Sequence, residues 1–223
     1  MLSFDLHASQ GRQRITFEPA ALIVAGWTGR DEAALRHHIE ELAAIGVPRP
    51  SSVPVFYRNS IHNLTQAPVL EVLGPNTSGE VEPVIVALED QLCLTVGSDH
   101  TDRKAETQGI ALSKQLCGKQ LGRDLWNLDD VVAHWDQLKL RSFATIDGER
   151  HTYQNGPLSG MRPPADLIAR YGSLAPNAVM YCGTVAAIGG IRPASRFEME
   201  LEDPVLGRTL KHAYDINVLS VVN

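Results

Sequence analysis

The sequence predicts an α+β fold rich in strands, with a few helices at its periphery. Three observations predict it. Short alternating or β-branched apolar runs recur at residues 2–7, 14–18, 20–27, 80–86, 92–96, 140–146, 149–154, 197–201 and 209–219. Helical periodicity is confined to residues 31–45, 103–113, 129–138 and 163–171. Turn formers separate the runs, with Ser9-Gln10-Gly11, Asp147-Gly148 and Asp203-Pro204 each between two strand candidates.

The chain has 223 residues, enough for one good core or one domain with an appendage, and 43% hydrophobic with 21% charged residues describes a soluble globular protein. The turn-rich stretch 50–54 reads as a joint. It divides N-terminal strands and a helix (1–50), packed on the main body, from a main domain (51–223). The net charge is −6 with no basic tract, so nucleic acid and anionic membrane are excluded as partners. No run approaches the length of a membrane-spanning helix, and residues 1–10 lack the basic and apolar regions of a signal peptide. Cys93, Cys117 and Cys182 lie far apart and read as reduced cysteines of a cytoplasmic protein.

In chain order, residues 2–7 and 14–18 alternate apolar and polar, as a hairpin does, and 20–27 is a buried strand. The helix over 31–45 has Leu35, Ile39 and Leu42 at helical spacing, acidic residues at its start, and Gly46 and Pro48 at its stop. His37 and His38 on it read as solvated or packed, not as ligands. Residues 103–113 form a helix or helical loop. Residues 129–138 read as a capped helix turning Val131, Val132, Trp135 and Leu138 to the core, and Pro163-Pro164 opens a short helix ending at Tyr171.

The chemistry concentrates in residues 79–103. Glu80 and Glu82 open the run Val84-Ile85-Val86, and at this spacing both carboxylates point to one face of a strand. Pro83 favours extended backbone and an edge or a bulge. A second strand, Leu92 to Val96, follows the interruption at Glu89-Asp90. A hairpin turning there sets Glu80 opposite Asp99, with Cβ atoms roughly 5 Å apart. Three carboxylates that close repel one another, and a hard divalent cation such as Mg²⁺, Mn²⁺ or Ca²⁺ resolves this. The same spacing also describes a solvated strand face, and a slip of one residue would put Asp99 on the other face.

Glu-x-Glu, a strand, and the turn Ser98-Asp99-His100-Thr101-Asp102-Arg103 resemble the signature of the fumarylacetoacetate hydrolase superfamily, in its DUF2848-like branch with a GSDHTDR turn. The resemblance implies a mixed β-sandwich roll with peripheral helices and makes Glu80, Glu82 and Asp99 the metal ligands. Phe56, Tyr57 and His62 in VFYRNSIH match an F-Y-then-His stretch whose histidine is the general base, and neutral imidazole suits that role. Val55 stands where that enzyme has a further acidic ligand, which leaves three carboxylates here.

Lys114 resembles the family's G-K-S lysine, with Lys119 as its rival. This lysine and Arg103 would bind substrate oxygens and stabilise a developing enolate. Glu106 falls where the family has a substrate-contacting Gln. Gly183-Thr184 matches the Gly-Thr pair that touches a substrate carboxylate. The four motifs occur in family order over residues 50–220. The implied activity is divalent-metal-dependent cleavage of a C–C bond in a 2-oxo or β-diketo acid through a metal-bound enolate, by hydrolysis or decarboxylation, in a homodimer taking a small organic acid. An isomerase or hydratase on the same substrates, or a non-catalytic acid-binding protein, are the alternatives.

Overall fold

The computed structural model describes residues 1–8, 11–44 and 49–222. The turn residues Ser9-Gln10 and the helix stop at Gly46 and Pro48 lie outside the described residues, as do the side chains of His38 and Leu42. The N-terminal alternation produces β1 (Leu2–Ala8) and β2 (Gly11–Phe17), paired from Leu2↔Phe17 to Ala8↔Gly11, with Leu2, Phe4, Leu6 and Phe17 inward. β3 (Ala21–Gly26) is apolar throughout because it is an inner strand covered on both faces. Asp31 starts α1 (Glu32–Ala44) by accepting hydrogen bonds from the N–H groups of Ala33 and Ala34.

Short strands follow: β4 (Val55–Asn59), β5 (Leu64–Thr65), β6 (Val69–Leu73) and β7 (Thr77–Ser78). The central hairpin is β8 (Val81–Ala87) and β9 (Leu92–Ser98), and β10 (Thr101–Asp102) leads out of it. The helical stretch after it is two pieces, α2 (Arg103–Glu106) and α3 (Ile110–Leu116), separated by Gly109 in extended backbone. Next come β11 (Lys119–Leu121), β12 (Asp124–Asn127) and α4 (Asp129–Val132).

The helix expected over 129–138 is therefore broken. A 3₁₀ turn at Trp135–Gln137 replaces its second half, after His134 leaves helical backbone and bonds Asp203 at 2.9 Å. Val131, Trp135 and Leu138 remain buried, but Val132 is 54% exposed, contrary to expectation. Adjacent helical positions face about 100° apart, so Val131 and Val132 cannot share one face.

β13 (Lys139–Ile146) and β14 (Glu149–Pro157) pair across Asp147-Gly148, both at positive φ (51° and 84°) as the two-residue turn demands. α5 (Pro164–Tyr171), β15 (Ala178–Tyr181), β16 (Arg196–Asp203) and β17 (Arg208–Leu219) complete the chain.

Among the described residues a ten-stranded sheet runs β2-β1-β12-β9-β8-β15-β3-β4, with β11 paired to β9 and β5 paired to β11. A five-stranded sheet runs β14-β13-β16-β17-β6. Both are open, and one core fills the space between them, with Ile85, Leu94 and Trp126 meeting Met199, Leu201 and Tyr214. A second core lies on the other face of the large sheet, where Phe4 and Phe17 join Val24, Val84, Val86 and Tyr181. The first three strands are thus built into the same sheet as the central hairpin, β1 parallel to β12 and β3 between β15 and β4.

Pro83 sits at neither an edge nor a bulge. Its carbonyl accepts from Cys182 N–H, so its missing donor faces the side where β15 has just ended at the Tyr181↔Val84 pair. No helix of the described residues is long and apolar enough to cross a membrane.

Candidate metal centre

The β8–β9 ladder pairs Val81 with Ser98, Glu82 with Gly97 and onward to Ala87 with Leu92, the expected register without a slip. Beyond it Asp99 N–H donates to the Glu80 carbonyl at 3.0 Å, which sets Glu80 opposite Asp99. Asp99 is fully buried, Glu82 is 2% exposed, and the Glu80 side chain is 22% exposed, so the cluster opens to solvent at Glu80. One oxygen from each carboxylate lies within 4.8 Å of the others.

The surroundings separate the three acids. Burial raises the Glu82 carboxyl well above the ordinary carboxylate range, and Asp99 and Glu80 push it the same way. No basic side chain is within ion-pair distance of Glu82 among the described residues. Its partner is Gly183 N–H, 2.7 Å from Oε2. Burial would raise Asp99 too, but Lys114 and Lys119 overcome it and hold the carboxyl below its usual range. Lys119 Nζ lies 2.8 Å from Asp99 Oδ1 and donates to the His100 carbonyl at 2.5 Å. Lys114 Nζ stands against Asp99 Oδ2 and 3.9 Å from Glu80 Oε2. Burial works against the Lys114 ammonium, yet the three carboxylates hold its pKa above the normal lysine range. Both rival lysines therefore reach the site, on different oxygens.

Arg103 spreads its guanidinium over three partners: Ser78 Oγ at 2.7 Å, Glu106 Oε2 at 3.1 Å and Glu80 Oε1 at 3.2 Å. Glu106 is held by that arginine. Tyr57 lies on β4 with its ring 5.9 Å from Lys114 Nζ, and burial raises its phenol. Gly183 has φ of 93°, and a Cβ there would meet Thr28 Oγ1 at 1.9 Å, so glycine is required for the turn that delivers its N–H. Thr184 Oγ1 donates to the Val81 carbonyl at 2.6 Å and accepts from Gln154 at 2.7 Å, which pins this loop to β8.

His62 is exposed on a 3₁₀ turn, and its ring makes no hydrogen bond or ion pair to the carboxylates among the described residues. Its segment is nonetheless tied to α3, through Asn59 to the Lys114 carbonyl and Asn63 to the Gln115 carbonyl, both at 2.8 Å. His100 is enclosed. Tyr214 Oη and Thr77 Oγ1 each lie 2.9 Å from a ring nitrogen, and burial, then Lys119 and Arg103, push its pKa down to about 3.

Sequence reasoning misses Gln154, which is buried and bridges Val81 N–H, Ser142 and Thr184. It also misses Trp27, at φ 58° in the β3–α1 loop with a side-chain hydrogen bond to Tyr57. A strained non-glycine backbone beside a site is a functional signal, but it is invisible in sequence.

The donor set fits a divalent cation. It is all hard oxygen, it converges, and Glu82 is a buried carboxylate in no direct ion pair among the described residues, with Lys114 only partly offsetting its burial. Cys93, Cys117 and Cys182 are free and buried and take no part.

The model of the family described as "Protein of unknown function (DUF2848)" matches residues 25–214. No curated protein matches the chain by sequence. Among solved structures, a protein of Oleispira antarctica provisionally assigned as a fumarylacetoacetate isomerase/hydrolase superposes with a TM-score of 0.67 at 16% identity, over 97% of this chain and 100% of that one. A yeast fumarylacetoacetate hydrolase family protein gives 0.63 at 14% identity, over 90% and 94%. A 2-keto-3-deoxy-D-arabinonate dehydratase complexed with magnesium and 2,5-dioxopentanoate gives 0.62 at 11% identity, over 96% and 79%. The fold is that of the fumarylacetoacetate hydrolase superfamily.

Proposed function

The chain belongs to the DUF2848 family, and on that premise we propose that it is a divalent-metal-dependent enzyme cleaving a C–C bond of a 2-oxo or β-diketo acid. The observation that carries this reading is the convergence of Glu80, Glu82 and Asp99, with Glu82 buried and in no direct ion pair among the described residues. A Mg²⁺ or Mn²⁺ ion held there would supply Lewis-acid polarisation of the oxo acid oxygens.

The chain's own groups do the rest. Arg103, at the open side by Glu80, takes the planar carboxylate, for which a fork of donors is suited. Lys114 places a fixed positive charge where the oxo oxygen gains electron density, and it is worth more in the transition state than against the neutral ketone. His62 acts as general base when its loop, tied to α3, closes on substrate. Tyr57 and Glu106 line the substrate side, and the Gly183-Thr184 loop walls the far end. Buried free cysteines support a reducing compartment, and a homodimer is checked by sedimentation.

A second reading, dehydration or isomerisation of the same acid class, draws on the magnesium-bound dehydratase of the same fold. Product analysis after incubation with acylpyruvates and with 3-deoxy-2-oxo acids separates the two. Oxalate, which resembles the planar enolate of a 2-oxo acid, tests the shared premise. Calorimetry should show binding that requires Mg²⁺ or Mn²⁺, and equal affinity without metal would remove the reading. His62→Ala should cut turnover by roughly 10²- to 10⁴-fold while leaving metal affinity intact. Unchanged turnover would reassign the base.

A further inference from the structure

Val81 lies between Glu80 and Glu82, and its backbone is held by side chains. The Glu80 carbonyl faces β9, where it accepts from Asp99 N–H, so the N–H and C=O of Val81 face the other way. On that side β15 ends at the Tyr181↔Val84 pair, and past it Cys182 N–H still reaches the Pro83 carbonyl. Val81 lies beyond both contacts, yet it is fully buried, so its backbone groups need partners other than a strand. Two side chains supply them. The Gln154 amide oxygen accepts from Val81 N–H at 3.0 Å, and the Thr184 hydroxyl donates to the Val81 carbonyl at 2.6 Å.

Gln154 comes from the other sheet. The β13–β14 ladder shifts between Ser142 and Phe143, which pair with Gln154 and Thr152, so Tyr153 is an extra residue in β14. Adjacent side chains of a regular strand face opposite sides, but at this bulge Tyr153 and Gln154 both turn inward, each 1% exposed. The amide has one consistent orientation. Val81 N–H can only donate, which fixes the oxygen, and the Val185 carbonyl can only accept, which fixes the nitrogen. Ser142 Oγ donates to the same oxygen at 2.9 Å, and the nitrogen donates to the Val185 carbonyl at 2.6 Å and to Thr184 Oγ1 at 2.7 Å. Both lone pairs and both hydrogens of the amide are used. The Thr184 hydroxyl is fixed in turn: it accepts from Gln154, so its one hydrogen goes to Val81 and none is left for a ligand.

We propose that Gln154 is a positioning residue of the cation centre: with the Thr184 hydroxyl that it locks, it takes the place of a strand along Val81 and sets the separation of Glu80 and Glu82. This rests on the reading of the cluster as a divalent-cation centre. A cation held by both glutamates needs their carboxylates at a fixed distance, and the backbone between them is that of Val81. Without the clamp a buried N–H and C=O go unpaired, and the end of β8 is free to shift. The same turn brings Gly183 N–H to Glu82 Oε2 at 2.7 Å, so the lock on Thr184 also steadies that carboxylate. Outer groups that hold ligands in place are worth about 10- to 100-fold in metal affinity. Thr184 is thereby assigned as a latch on β8, and its hydroxyl is not a donor to substrate.

The test is calorimetric titration of the full chain with Mn²⁺, and then with oxalate at saturating Mn²⁺, in wild type, Gln154→Leu, Thr184→Val and Thr184→Ser. Gln154→Leu and Thr184→Val should each weaken Mn²⁺ binding about tenfold or more. Thr184→Ser keeps the hydroxyl and should retain wild-type affinity. Gln154→Leu combined with Thr184→Val should lose no more than the worse single variant, because both remove one clamp. A role in stability alone would lower the urea midpoint and leave the Mn²⁺ affinity of the folded protein unchanged, and that result overturns the proposal. Oxalate affinity of Thr184→Val at saturating Mn²⁺ should stay within about twofold of wild type, since no hydrogen of that hydroxyl faces a ligand. Weaker oxalate binding with Mn²⁺ affinity intact would make Thr184 a ligand donor and overturn the lock.

Wild type that binds no Mn²⁺ removes the cation centre and this inference with it, whereas wild type and Gln154→Leu binding Mn²⁺ equally well sinks the positioning role alone. Should Gln154→Leu not fold, Thr184→Val decides the matter. It sits in a partly exposed turn and removes the hydrogen bond to the Val81 carbonyl while keeping the side chain's shape. Equal Mn²⁺ affinity in that variant would overturn the proposal.

Discussion

The β8–β9 hairpin and the segment that crosses it, residues 103–119, carry opposite charges and owe their places to different forces. The hairpin is the floor of the site. Its strands are nearly wholly buried, laddered on both sides, and packed into a core on each face, so its acids sit where the backbone puts them. The rim is built from helices of four and seven residues, too short to be stable alone, and its cations are tied back onto the floor's carboxylates. The floor keeps its geometry without the rim. The rim takes its geometry from the floor's charge.

Breaking that dependence gives the largest effect. Asp99→Ala leaves Lys114 and Lys119 buried without their carboxylate, which should cost about 3–5 kcal/mol in urea unfolding and abolish divalent binding. A loss below about 1 kcal/mol would mean that the rim stands by its own packing.

Gly183→Ala tests the floor from outside. The positive φ and the clash with Thr28 should together cost about 2–4 kcal/mol. Thr28→Ala in the same chain should recover the clash but not the backbone strain, and full recovery would show that φ carries no cost here.

Arg103→Lys sharpens the picture of the rim. One ammonium cannot serve Ser78, Glu106 and Glu80 together, so oxalate affinity in the presence of Mn²⁺ should weaken on the order of tenfold although the charge is kept.

The smallest effect lies on β17, where His212 meets Gln120 of β11 at 3.1 Å. Burial, then Arg123, pushes its pKa down to about 4. The unfolded chain takes up that proton near the ordinary 6.5 while the folded chain refuses it until about 4. The stability it protects is thus complete above pH 6.5 and lost as pH falls toward 4, by about 1 kcal/mol at pH 6. His212→Gln should flatten that slope in urea titrations at pH 7 and 6. An unchanged slope would assign the acid sensitivity to another group.

The floor was legible in sequence because its information is local. Glu-x-Glu fixes the face, Glu89-Asp90 fixes the turn, and a period of two does the rest, so Glu80, Glu82 and Asp99 converge as read. The Asp147-Gly148 hairpin, the Pro164 helix start and the closing strands were legible for the same reason. The helix expected over 129–138 failed because period alone cannot see that His134 is drawn to Asp203, 69 residues away. Pro83 misled because the rule against proline in a central strand concerns a donor, and here the donor's partner strand stops one residue short. Gln154 and the Gly183–Glu82 bond carried no local signal, and the partition of Asp99 between two lysines is a matter of single oxygen atoms.

The Gly183–Glu82 bond spans 101 residues, and the strand just before it, β15, fills the gap between β8 and β3. During biosynthesis the floor hairpin, with four residues between its strands, can close as soon as it leaves the ribosome. Its neighbour on one side is not translated until residue 181. For that interval two apolar strands expose unpaired edges, which is the template on which nascent chains aggregate. Fragments ending before residue 178 should accordingly be recovered in inclusion bodies, and the yield of soluble full-length chain should rise when translation is slowed or a holding chaperone is supplied.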